Sequence, residues 1–120
     1  MLRPIPSKIL RSTAIVKVCT GIDLYQNQTY TTYTVHRVHL QPTAEIRKST
    51  TNTDEQLTSV LFVDARISTP QLNWVKLLSD AHAIGGDMRV IVRGIEYTVI
   101  TVDELRDDTD MLHHWEVGCK

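Results

Sequence analysis

A chain of 120 residues has the length of one domain and can bury a single modest core. Its net charge of −1 and pI near 6.5 set it apart from dedicated nucleic-acid binders, which are plainly basic. No apolar run approaches the ~20 residues of a membrane span, and Pro4 and Pro6 interrupt any signal-like opening. The chain is therefore expected to be soluble, with no membrane partner. Cys19 and Cys119 are expected to be free thiols in a reducing cytoplasm.

Thr, Val and Ile number 15, 12 and 10, and side chains stiff at χ1 suit a pleated surface better than a helix. In chain order, residues 1–11 read as an N-terminal arm carrying Arg3, Lys8 and Arg11. A first strand is predicted over Ser12–Cys19, where Ala14, Val16 and Val18 alternate with Thr13, Ile15 and Lys17. After a polar connection, Thr29–Leu40 forms a second strand long enough to need a bulge, and Pro42 stops it.

Residues 43–58 then have no apolar period. Ala44–Lys48 could begin a strand, but Ser49, Thr50, Thr51, Asn52, Thr53, Asp54, Glu55 and Gln56 are polar throughout. The whole segment reads as one long exposed excursion, and such runs inside compact domains are functional or disordered. A third strand follows at Leu57–Arg66, whose unbroken Val60–Val63 core predicts burial on both faces.

Thr69 as cap and Pro70 at the first helical position predict one short helix within 70–84, with Leu72, Trp74, Val75 and Leu78 at helical spacing. Gly85 and Gly86 end it. Met88–Val102 reads as a hairpin about Arg93-Gly94, and residues 112–118 as the last strand. The fold class expected is mainly β: a small β-barrel of about five or six strands, with one long inter-strand loop and at most one short helix. Residues 12–120 form the single barrel domain.

The search for chemistry returns no catalytic, cofactor or metal site and no small-molecule substrate. His113 and His114 are adjacent on a strand, so a period of 2 turns them to opposite faces. His36 and His39, three apart on a strand, are expected to diverge for the same reason. Neither a nucleophile elbow nor a phosphate-cradling Gly-rich loop is present. The run Asp107-Asp108-Thr109-Asp110 lacks the alternation and closing Glu of a calcium loop. Trp74, Trp115, Tyr25, Tyr30, Tyr33 and Tyr97 raise the alternative of a barrel that stacks single-stranded nucleic acid. Ordinary packing, with Tyr97 against Trp115, is the simpler reading.

The charge is unevenly placed. Residues 1–48 carry seven Lys or Arg against two acids, whereas residues 103–120 carry two against six. A subunit whose basic side (Arg3, Lys8, Arg11) meets the acidic side (Asp107, Asp108, Asp110) of its neighbour has the layout of a head-to-tail interface.

Several motifs occur in a fixed order. They are Arg3-Pro4-Ile5-Pro6, Leu40-Gln41-Pro42, Leu61-Phe62-Val63-Asp64 running on to Ser68-Thr69-Pro70, Gly86-Asp87 before Arg93-Gly94-Ile95-Glu96-Tyr97-Thr98-Val99, and Leu112-His113-His114-Trp115-Glu116-Val117. Together these resemble the minor capsid, or head-completion (stopper), proteins of long-tailed double-stranded-DNA phages. The chain departs from that pattern at Gly118-Cys119-Lys120, where an apolar run is expected, and in the length of Leu72–Gly85.

The resemblance implies a non-enzymatic virion protein of the head-to-tail interface, assembled from the host cytoplasm. It implies a homo-oligomeric ring below the portal and its adaptor, closing the channel on packaged double-stranded DNA and docking a tail-terminator protein. The channel plug in that reading is the 43–58 excursion, with Arg47 and Lys48 near the DNA. Another neck or tail-completion protein with a similar barrel is the alternative.

Overall fold

A computed structural model describes residues 10–48 and 53–120. The elements in order are β1 (Ser12–Ile22), β2 (Gln28–Pro42), β3 (Ile46–Lys48), β4 (Asp54–Gln56), β5 (Ser59–Asp64), α1 (Trp74–Ala83), β6 (Met88–Val92), β7 (Ile95–Arg106) and β8 (Leu112–Cys119). Six of the strands close into an antiparallel barrel in the order β1-β2-β5-β8-β7-β6. β3 and β4 pair only with each other. The expected mainly-β barrel with one short helix is what forms.

β1 is the hub of the ring. Its Ala14, Val16 and Val18 face the interior, where they meet Val35, Val38, Val90, Val92, Val117 and Cys119. A barrel of six strands is narrow, and branched and small side chains fill most of this interior, with Trp74 and Trp115 the aromatics buried in the same core. The Val60–Val63 run is enclosed on both faces as its pattern predicts, with Phe62 alone only half-buried.

Two β-bulges re-aim side chains that a strict period of 2 misplaces. Ser12 faces Val38 and Thr13 faces His36, leaving Arg37 extra at φ 62°. As a result Val35 and Val38 both point inward, and His36 and His39 share the outer face rather than diverging. Leu105 faces His114 while Arg106 faces Leu112, leaving His113 extra. The rings of His113 and His114 consequently meet, with their Nδ1 atoms 2.7 Å apart, instead of pointing to opposite faces.

The hairpin between β6 and β7 turns on Arg93 and Gly94, both at positive φ, the two-residue turn whose twist suits antiparallel strands. β7 runs on to Arg106, beyond the expected end at 102. That offset matters for Tyr97 and Trp115. Tyr97 lies across from Val90, whereas Trp115 lies across from Glu104 and Val63, so the two rings occupy different levels of the barrel.

The helix starts later than its sequence signals suggest. Thr69 is engaged in a two-way backbone bridge to His36, with bonds of 2.7 and 3.1 Å, so it does not cap α1. Asn73 does, its Oδ1 accepting from the Lys76 amide at 3.1 Å. The buried face is Trp74, Leu78 and Ala81, and Val75 is turned outward. At the other end Gly85, at φ 79°, and Gly86 send their amides to the carbonyls of His82 and Ala81, a Schellman close.

Gly86 is also where the helix end meets β1. An added Cβ there would stand 2.3 Å from Cys19 Sγ and 2.5 Å from Cys19 Cβ. Gly86→Ala is expected to destabilise the fold by about 1–3 kcal/mol through overpacking, read in thermal or denaturant unfolding. Both cysteines are free and buried, and burial pushes the Cys119 thiol up to about 12. The folded chain thus keeps a proton that the unfolded chain releases near pH 8.5. Stability from this group is full below that pH and is lost as pH rises toward about 12. The alkaline limb of the stability–pH profile is expected to be shallower in Cys119→Ala.

Candidate functional site

The feature that the ring of strands does not absorb is the excursion between β2 and β5. Read from sequence as a long loop, it is a short two-stranded ribbon, with Ile46, Arg47 and Lys48 facing Gln56, Glu55 and Asp54. Residues 49–52, which include Ser49, Thr50, Thr51 and Asn52 of the expected plug, lie outside the described residues. Thr53 is exposed beside β4.

The ribbon is held to the outer wall of the barrel at two levels. At its foot, the backbone closes through Thr43 N to Thr58 O (3.0 Å), Leu57 N to Glu45 O (2.8 Å) and Thr58 N to Cys119 O (3.0 Å). Leu57 itself is 1% exposed. It lies flat over Gly118, where an added Cβ would come within 2.6 Å of Leu57 Cδ1 and 2.9 Å of Thr101 Cγ2. The residue that breaks the expected apolar ending of the chain is thus the seat for the ribbon's one apolar anchor.

Above that foot the attachment is ionic. The Arg47 guanidinium reaches Asp103 Oδ2 on β7 at 2.6 Å, Glu116 Oε1 on β8 at 3.2 Å and Glu45 Oε2 at 2.8 Å. Burial works against its charge, but the bonds to Glu45 and Glu116 outweigh this and hold its pKa above the ordinary arginine value. On the other ribbon strand, Glu55 Oε2 takes the Lys120 ammonium at 2.8 Å, and Lys48 pairs with Asp54 at 3.0 Å within the ribbon. Glu116 is shared further, its Oε2 lying 3.0 Å from His114 Nε2. His114 packs against Phe62, and Phe62 stacks with His39, both at 6.1 Å between centroids.

The wall under the ribbon is therefore a connected strip from His39 through Phe62, His114 and Glu116 to Arg47 and Asp103. Sequence reasoning singled out Arg47 but not its partners, and missed Asp103, Glu116 and Leu57. The long-range charge asymmetry was the one signal for the pairing. Part of it is spent within the chain, because basic Arg47 sits on acidic Asp103 and Glu116.

The residues expected at a subunit interface are less uniform than their spacing suggests. Arg3 and Lys8 lie outside the described residues. Arg11 is exposed, as are Asp108 and Asp110. Asp107 is buried and caps its own loop, Oδ1 accepting from the Thr109 hydroxyl at 2.7 Å and from the Thr109 and Met111 amides. The Thr109 hydroxyl above all, with those amides, holds its carboxyl below the usual carboxylate range. Asp110 stands at φ 62°, with its carbonyl accepting from Arg106.

Trp74 and Trp115 are buried in the core, and the Tyr30 hydroxyl lies 2.8 Å from Asp87 Oδ1 under the Lys17 ammonium. Tyr25 stands exposed at the β1–β2 turn, apart from the other rings. Among the described residues no three His, Cys, Asp or Glu side chains are grouped to hold a metal. No helix among the described residues is long and apolar enough to cross a membrane.

Fold and site define the class: a small antiparallel β-barrel carrying an external ribbon latched by charge. A family model described as minor capsid protein matches residues 6–119. The chain belongs to the minor capsid protein family and is a structural protein of the phage particle. No curated protein and no solved structure matches it.

Arg47→Met is expected to free the ribbon while leaving the barrel folded. Amide exchange at Ile46–Lys48 and Asp54–Gln56 should quicken, with global stability lower by about 1 kcal/mol or less. Raising salt to about 1 M, where the screening length falls to about 3 Å, should move the wild-type ribbon in the same direction.

Proposed function

We propose that this minor capsid protein belongs to the neck of the particle and acts without catalysis. Copies form a ring below the portal and its adaptor, close the channel after DNA packaging and present the surface on which the tail, through its terminator protein, docks. The protein meets these partners in the host cytoplasm during assembly and stays at the head-to-tail interface of the virion. The observation that carries this reading is the ribbon at 43–58. It stands outside the barrel's hydrogen-bonded ring and is fastened by one leucine, the Thr58–Cys119 backbone bond at its foot and a few ion pairs.

Such an attachment suits a gate. Moving the ribbon breaks no barrel ladder and exposes one apolar side chain, so the fold survives the motion. The ion pairs are individually weak, and a ring multiplies a small energy per subunit by its copy number. Arg47 has two competing sets of partners in this reading. Against the wall it is held by Asp103 and Glu116, and swung toward the axis it and Lys48 meet DNA phosphates, whose attraction is independent of sequence.

The test is to replace residues 49–53 by Asn-Gly, a two-residue turn that keeps the β3–β4 ladder and the Leu57 anchor. The variant is expected to fold, enter particles at the wild-type level and lose packaged DNA, measured by nuclease accessibility of full heads. Particles that retain DNA normally with the shortened ribbon would overturn the gate. Microscopy of tail-less particles that places the protein away from the neck would overturn the location.

A further inference from the structure

β2 is fifteen residues long and its partner β5 only six, and the two pair over Val38–Pro42 alone. On its other side β2 is paired with β1 along nearly its whole length. Half of one edge of β2 is thus left over. His36 shows which groups face that side, since its amide and carbonyl are both bonded to Thr69, away from β1. The alternation of an antiparallel strand puts the amides and carbonyls of Thr34, Thr32 and Tyr30 in the same row. None of the three has a backbone partner on that side among the described residues, and Thr32 and Thr34 are exposed.

Natural sheets guard such an edge with charge, proline, a bulge or shortness. Gln28–Val35 reads QTYTTYTV, without a charge, a proline or a glycine. The contrast within the molecule is plain, because β3 and β4, also edges, are three residues each and charged. An unguarded row of three amide–carbonyl pairs on a Thr/Tyr strand is a template for one more strand.

We infer that this edge receives residues 3–8 of a neighbouring copy as an added antiparallel strand. The inference rests on the ring reading above and supplies its subunit contact. Pro4 and Pro6 are two apart, so their missing amides fall on one side of an extended segment. The other side keeps the amides and carbonyls of Arg3, Ile5 and Ser7, three pairs to match Tyr30, Thr32 and Thr34. Each proline also biases the residue before it toward extended backbone, which lowers the ordering cost.

The span fits as well, six residues at about 3.3 Å covering Tyr30–Val35. Charge agrees in sign. β7 ends and β8 begins at the end of the barrel where the open edge lies, so exposed Asp108 and Asp110 stand at that end to meet Arg3 and Lys8. The contact is head-to-tail, and repeats around an axis.

The test uses Thr32→Pro, which removes an amide that the barrel does not use, and a chain lacking residues 1–9. Each is expected to unfold near the wild-type temperature, and each alone is expected to enter particles only at background when it is the sole copy supplied. Mixed in solution, the two are expected to form pairs but no larger assembly, because each supplies what the other lacks. The amides of Tyr30, Thr32 and Thr34 are expected to exchange rapidly in the free chain and slowly in the particle, a readout that stands even if Thr32→Pro fails to fold.

Wild-type incorporation of a folded Thr32→Pro chain overturns the inference, as does rapid exchange of these amides in the particle. Association of the arm-deleted chain by itself would mean that β2 edges pair with each other, and failure of the mixture to pair would mean that each arm docks on its own barrel. Either result overturns it. A protein located away from the neck yet dependent on Thr32 would leave the strand exchange standing and remove only the ring reading.

Discussion

The constraint on which the rest of the structure depends is closure of the β1-β2-β5-β8-β7-β6 ring with strands of unequal length. Closing the ring satisfies the backbone groups of the short strands β5 and β6 on both sides, and it buries the small side chains of the interior in one step. It also fixes what cannot be included. β2 is far longer than β5 and β7 far longer than β6, and the chain between β2 and β5 has no place in the ladder. The external ribbon, the helix between β5 and β6 and the spare half of β2 all follow from that mismatch.

These leftovers differ in how they are held, and the difference separates scaffold from candidate function. The helix is fastened by Trp74, Leu78 and Ala81 in the core and by the close seat of Gly86 on Cys19. Moving it would uncover Trp74, Leu78 and Ala81. The ribbon is fastened by Leu57 on Gly118 and by Arg47 on Asp103 and Glu116, contacts of an outer wall. The ring itself need not change for the ribbon to move. Membership of the minor capsid family makes the chain a part of the particle.

The wall strip has a further consequence for how charge is used. A sequence with a basic beginning and an acidic end suggests complementary faces on neighbouring copies. In the fold, Arg47, Asp103 and Glu116 answer one another inside a single chain, and Asp107 is turned into its own loop. Asp108 and Asp110 stand exposed on the acidic side, and Arg11 on the basic side. In the strand exchange proposed above, charge complementarity between copies would work beside the backbone pairing of the β2 edge rather than in place of it.

By itself, the sequence determined the class of fold and most element boundaries. Alternation of Ala14, Val16 and Val18, the Arg93-Gly94 turn and the Gly85-Gly86 stop are local signals that read the same in any context. Tertiary structure decided what periodicity cannot carry. Bulges at Arg37 and His113 exist only relative to the partner strands, so the shared outer face of His36 and His39 and the meeting of His113 with His114 were invisible to a count of two. Asn73 rather than Thr69 caps the helix because Thr69 is bound to His36, 33 positions away in sequence. The ribbon's partners, and the edge left open on β2, depend on which strand ends first beside which. That is a property of pairing and register, and the chain acquires it only on closing its ring.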